Sequence, residues 1–169
     1  VGKGISAGYL PLAATLATEE IFRAFLGEYE DFKTFFHGHT YTGNALACAV
    51  ALANLDIFEQ EQVLPRVLKR TQQLSNRLAE LAALPHVGDV RQWGLMVGIE
   101  LVHDQHQRRP YRPSDRIGLQ VIREARRHGI ILRPLGNVLV LMPPLSISAD
   151  QLDLLCTVTR DAILQVTGA

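Results

Sequence analysis

The chain changes its periodicity once, at Pro85-His86-Val87-Gly88, and that change restricts what it can fold into. Before it, two long stretches carry apolar residues at helical spacing. Leu46, Val50, Ala53, Leu55, Ile57 and Phe58 predict a helix opened by Gly43-Asn44, with this set as its broad apolar face. Val63, Val67, Leu74, Leu78 and Leu81 predict a second helix, with Pro65 tolerated in its first turn. Alanines at 45, 47, 49, 51 and 53 allow close packing against a neighbouring backbone. After the change the runs shorten. Val90 to Trp93 and Leu95 to Val102 read as strands pivoting at Gly94, and His103 to Pro113 as a surface loop. Ser114 to His128 reads as a helix capped by Ser114 or Asp115 and closed by a left-handed Gly129. Ile130 to Arg133 and Val138 to Leu141 read as strands around the turn Pro134 to Asn137, and a final helix runs from Ala149 to Val166 behind Ser148 as N-cap. Helices and strands in this order indicate an α/β chain: a helical remainder of a larger domain, then a small α+β domain.

The amino-terminal part is less regular. A glycine-rich turn leads to a short strand over Leu12 to Leu16. Thr18 is placed to cap a helix with Ile21, Phe22 and Phe25 as its buried stripe and Gly27 as its end. Asp31 to Thr42 reads as loop. The chain opens on Val1, without methionine and without a segment leading into its first turn, and so reads as the carboxyl-terminal part of something longer.

Composition excludes several roles. With 17 basic and 17 acidic side chains among 169 residues, no electrostatic pull towards nucleic acid or an anionic membrane is expected. No apolar run approaches the roughly 20 residues of a membrane span, and no signal peptide is visible. Cys48 and Cys156 lie in helical patterns and read as two reduced, buried thiols, which suits a cytoplasmic protein.

Four places carry residue types that do chemistry. Lys3 sits between Gly2 and Gly4, and glycines let a backbone approach a flat carbonyl compound whose carbon an amine can attack; a solvated surface lysine is the simpler reading of the same placement. Gly4-Ile5-Ser6-Ala7-Gly8 has the spacing of a hydrolase nucleophile elbow, but no strand precedes it and Leu10-Pro11 opposes an immediate helix. His37-Gly38-His39-Thr40 offers two histidines without a third metal ligand at fitting spacing, whereas Thr40, just ahead of the helix start at Gly43-Asn44, suits a phosphate. Arg133, stiffened by Pro134, reads as ending an apolar strand. It suits either a carboxylate gripped through two parallel hydrogen bonds or a surface ion pair.

Taken together, Gly2-Lys3-Gly4 with Gly8-Tyr9-Leu10-Pro11-Leu12, the run Gly38 to Ala49, and the run Val90 to Leu101 resemble the carboxyl-terminal half of the class III (subgroup II) pyridoxal-phosphate aminotransferases, over essentially the whole chain. Phe35 to Tyr41, Arg133-Pro134-Leu135-Gly136 and Leu141-Met142-Pro143-Pro144-Leu145 are most similar to the branch that aminates 8-amino-7-oxononanoate to 7,8-diaminononanoate in biotin biosynthesis. Branches acting on ornithine or 4-aminobutyrate are the near alternative. A serine hydrolase, or a non-catalytic module binding through the alanine-rich helix, are the rivals of another kind. Ala45 departs from the proline that many relatives carry there.

The resemblance implies residues 1–60 as the end of a fold-type I large domain with the start of the interdomain helix, and 61–169 as the small α+β domain. It implies that Lys3 holds pyridoxal 5′-phosphate as a Schiff base and then moves the substrate proton. Thr40, with Gly38 and His39, would bind the cofactor phosphate of a neighbouring subunit, so that a homodimer shares its active sites. Arg133 would grip the carboxylate of a keto acid, and an amino donor would complete the reaction. No metal is implied. The family's pyridine-pairing aspartate, ring-stacking aromatic and main phosphate turn all precede the lysine, so these 169 residues alone are expected to be inactive.

Overall fold

Helix α3, Val63–Ala82, turns a stripe of Val63, Leu74, Leu78 and Leu81 inward and leaves Arg66, Lys69 and Glu80 outside, with Arg70 and Arg77 half-buried. Its stripe meets a sheet. Strands β1 (Val87–Trp93) and β2 (Met96–Asp104) form an antiparallel hairpin about Gly94, whose φ of 60° lies in the left-handed region that favours glycine. Strand β3 (Arg109–Pro110) pairs with the end of β2, while β4 (Arg133–Leu135) and β5 (Val138–Leu141) form a second hairpin, giving the order β1-β2-β5-β4.

Period-two alternation decides which face of the sheet is covered. Val97, Ile99 and Leu101 of β2 point into the core, and Val97 pairs with Leu141 and Ile99 with Leu139 across the ladder to β5. Helices α4 (Ile117–Arg127) and α5 (Ala149–Thr167) add Ile117, Val121, Ala125, Leu152, Cys156 and Ile163 to the same cluster. Each fully buried Leu or Ile is worth about 1.5–3 kcal/mol relative to exposure, so this cluster is what holds the α+β unit together. Ser148 caps α5 through a 3.1 Å bond from the Gln151 N–H, and Gly168 closes it at φ 73°.

The structure, a computed structural model, describes residues 1–168 and divides between Gln62 and Val63 into two compact units. The core just described belongs to the second. The first contains the amino-terminal turn, the short helix α1 (Glu19–Arg23) capped by Thr18, and the long helix α2 (Ala45–Gln60) capped by Asn44.

Several expectations are corrected. Leu12 to Leu16 is not a strand: Val1 and Ala14 exchange two bonds of 2.7 and 2.8 Å, and no ladder extends them. Helix α1 stops at Arg23, short of Gly27, and Ile21, Phe22 and Phe25 are exposed because nothing in the unit covers them. On α2 the buried stripe is Ala47 and Ala51, continued by half-buried Asn54 and Phe58, while Leu46, Ala53, Leu55 and Ile57 are exposed. The spacing i, i+4, i+7, i+11 is helical, but the face it selects is the small one. Cys48, beside that stripe, is exposed, and only Cys156 is buried. Ser114 and Asp115 form a separate 3-10 turn, so α4 starts behind a left-handed Arg116. His103 continues β2 and does not begin the loop. Ile130 to Leu132 lie outside the ladder, so Arg133 begins a strand where the sequence suggested that it ends one.

Candidate active site

Lys3 begins a single 3-10 turn, Lys3–Ser6, and is itself left-handed at φ 50°. A residue other than glycine pays about 1–2 kcal/mol for that conformation, which persists only where the surroundings over-determine it. Two contacts do so. The Ser6 hydroxyl donates to the Leu10 carbonyl at 2.6 Å, and the Asn54 side chain donates to the carbonyls of Gly4 at 3.0 Å and Ile5 at 3.3 Å. The Lys3 side chain is exposed and has no ion pair or hydrogen bond among the described residues. A Cβ built on Gly4 would meet nothing within 4 Å, so the turn is open beside the lysine. Next to it lies an apolar cavity of about 360 Å³, lined by Gly4, Ile5, Asn54, Leu55 and Phe58 among others.

Ser6, in contrast, is 1% exposed and its hydroxyl is committed to Leu10. It follows no strand and presents no free oxygen. The nucleophile-elbow spacing is therefore a hydrogen-bonded turn, and the hydrolase reading loses its residue.

The second group is the loop before α2. Its bonds close on themselves: the His39 N–H donates to the Thr42 hydroxyl at 3.1 Å, the Tyr41 N–H to His39 Nδ1 at 3.2 Å, and the Thr42 N–H to the His39 carbonyl at 3.0 Å. Asn44 then accepts from the Ala47 N–H at 3.0 Å and starts the helix. Thr40 is among the groups left over, its N–H and hydroxyl without partners among the described residues, just ahead of the positive end of a 16-residue helix. Gly38 is exposed, and a Cβ there would come no nearer than 3.8 Å to the Thr42 hydroxyl. No group of three metal-ligating side chains occurs among the described residues, and His39 Nδ1 is occupied.

Lys3 and Thr40 are tied to the same helix, one through Asn54 and the other through its amino end. Arg133 belongs to the second unit, at the exposed start of β4, and its guanidinium has no ion pair among the described residues. Arg91 differs: Glu100 at 2.9 Å and Asp89 at 2.6 Å engage it and hold it in its charged form above the usual range. Asn54 escaped the sequence reading. Its signal was one amide interrupting the buried stripe that Ala47 and Ala51 begin and Phe58 ends.

The first unit thus holds a free amine on a constrained turn and an uncommitted threonine before a helix, and the second holds an unpaired arginine. Residues 1–163 match the family model of the class III aminotransferases, and the chain belongs to that family. It is 60% identical over 167 residues to the adenosylmethionine-8-amino-7-oxononanoate aminotransferase of Nitratidesulfovibrio vulgaris, covering 99% of this chain and 31% of that one. The crystal structure of the enzyme of that name from Methanocaldococcus jannaschii superposes with a TM-score of 0.90 at 48% identity, covering 97% of this chain and 37% of that one. A PMP-bound aminotransferase from Vibrio fluvialis matches with a TM-score of 0.89 at 27% identity, covering 99% of this chain and 37% of that one. The chain thus spans about a third of the length of the curated relatives it matches.

Proposed function

We propose that this chain is the carboxyl-terminal part of a pyridoxal-phosphate enzyme that transfers an amino group to 8-amino-7-oxononanoate, giving 7,8-diaminononanoate in biotin biosynthesis, and that the chain alone is inactive. The observation that carries the reading is Lys3: an unpaired amine on a left-handed turn that Ser6 and Asn54 hold in place. The relatives' printed name supports the substrate and favours adenosylmethionine as amino donor. In this reading residues 1–60 end the large domain and 61–169 form the small one.

The residues present fit the cofactor. The Lys3 amine is free, the turn beside it is open, and Thr40 has an N–H and a hydroxyl to offer a phosphate. When bound, pyridoxal 5′-phosphate supplies an aldehyde for covalent attachment and a conjugated ring that accepts electrons. Lys3 Nζ is the point of attachment. With its nitrogen free, Lys3 would hold and return the proton of the substrate carbon, a general-base role. Thr40, with Gly38 and His39, binds the phosphate across a homodimer interface. Phe22, Phe36, Tyr41 and Leu46 are large apolar side chains left exposed in the first unit, which supports their burial against a partner. Arg133 takes the carboxylate of the keto acid through a two-bond grip. No helix among the described residues is long and apolar enough to cross a membrane, and a cytoplasmic enzyme is the setting this reading fits.

The test is covalent. Full-length protein loaded with pyridoxal 5′-phosphate, reduced with borohydride and digested, should carry the label on Lys3. Label on Lys33, Lys69 or a lysine elsewhere would overturn the assignment.

A further inference from the structure

We propose that Asn137 and Gly118 are positioning residues that fix Arg133 at the angle from which it takes the substrate carboxylate. The inference rests on the reading of Arg133 as the carboxylate grip and adds what holds it.

Strand β4 has three residues, too few to be rigid alone, and Arg133 is its first. Its geometry is inherited from the β4–β5 turn, across which Arg133 pairs with Val140 and Leu135 with Val138. That turn is held from three directions. The Asn137 side chain donates to the Tyr111 carbonyl at 2.9 Å. The Asn137 carbonyl accepts from the Leu101 N–H at 2.8 Å, tying the turn to the central strand. Gly118, in the first turn of α4, lies so close that a Cβ there would run into the Gly136 carbonyl oxygen and come within 3.1 Å of Pro134 Cβ. Pro134 directly follows Arg133, so pressure at Gly118 reaches the arginine backbone through one peptide bond. Tyr111 is itself anchored, its hydroxyl 3.0 Å from His86 Nδ1. The guanidinium has no partner among the described residues, so its backbone is the part of Arg133 that the fold fixes.

The experiment uses full-length holoenzyme with the substitutions Arg133→Ala, Asn137→Ala and Gly118→Ala, and two substrates: 8-amino-7-oxononanoate and its methyl ester, which lacks the anion. Asn137→Ala should raise KM for the acid by about tenfold, in line with the cost of a small misplacement of a binding group. It should leave kcat, cofactor retention and KM for the ester near wild type, and add nothing in an Arg133→Ala background. Gly118→Ala should act in the same direction; if it does not fold, Asn137→Ala decides alone. Should Arg133→Ala leave the acid-over-ester preference intact, the grip itself is wrong and the inference falls with it. Should Arg133→Ala abolish the preference while Asn137→Ala keeps it, the grip stands and only the positioning role is refuted. An equal rise for acid and ester would mark a general structural loss and also overturn the inference.

Discussion

The Asn54 side-chain amide donates to the Gly4 carbonyl at 3.0 Å and reaches the Ile5 carbonyl at 3.3 Å, so one residue of α2 holds the Gly4–Ile5 and Ile5–Ser6 peptide planes of the turn that Lys3 begins. The left-handed backbone of Lys3 leans on those planes together with the Ser6–Leu10 bond. Asn54→Leu keeps the branched shape and removes the amide donor, which leaves the Ile5 carbonyl unpaired and the Gly4 carbonyl with only the Ala7 N–H at 3.3 Å, at a cost of about 0.5–1.5 kcal/mol per lost bond. Full-length enzyme with Asn54→Leu should lose pyridoxal 5′-phosphate on dialysis about tenfold faster, since roughly 1.4 kcal/mol is a factor of ten. Cofactor absorbance followed over time measures this, and an unchanged rate would show that the turn is held without Asn54.

Ser6 offers the complementary case. Its hydroxyl is spent on the Leu10 carbonyl at 2.6 Å and cannot also attack a substrate. Ser6→Ala should therefore lower thermal stability by about 1 kcal/mol, the net worth of one hydrogen bond, and, because that bond helps hold the Lys3 turn, speed cofactor loss as Asn54→Leu does without abolishing activity. A fluorophosphonate probe should not label wild-type Ser6. A labelled Ser6 would revive the hydrolase reading.

These two residues also show what the sequence could express. Caps were legible because they depend on a side chain and a backbone three residues away, as Asn44 with Ala47 and Ser148 with Gln151. Turns at Gly94 and Gly129 were legible because their positive φ, 60° and 79°, favours glycine. The core of the second unit followed from periodicity, with Leu74, Leu78, Ile99 and Leu139 all buried in it. Burial in the first unit did not follow, because hydropathy says that Phe22 and Leu46 seek cover without saying which surface supplies it. Asn54 and Gly118 were invisible for a related reason: each acts on residues far away in sequence, Gly4 in one case and Gly136 in the other.

Gly88 is a second glycine fixed by space rather than by φ. A Cβ built there would sit 2.5 Å from Val102 Cγ1, and Val102 is 3% exposed on the paired strand. Gly88→Ala should destabilise the α+β unit by about 1–3 kcal/mol, the usual penalty for overfilling a packed core. Adding Val102→Ala should recover part of that loss, because the two changes compete for one volume. Urea unfolding of the single and double variants reads this directly, and strictly additive losses would mean that the strain lies elsewhere.

Cys156 gives a prediction with a pH sign. Burial in the core pushes its thiol up from 9.0 to about 11, the main cause being loss of hydration of the thiolate, opposed by the nearby Arg77. A raised value means that the folded state favours the neutral thiol. Its contribution to stability is complete below pH 9.0 and is lost as the pH rises from there towards about 11. At pH 8 only about one thiol in a thousand is ionised, and the thiolate is the reactive form. In a Cys48→Ser background, Cys156 of the native protein should therefore resist an aromatic disulfide reagent at pH 8 and react fully once urea unfolds the domain. Stability measured by urea should also begin to fall above pH 9.0, and less so in Cys156→Ala. Rapid labelling of the folded protein at pH 8 would show that the core around α5 opens to solvent more readily than its packing implies.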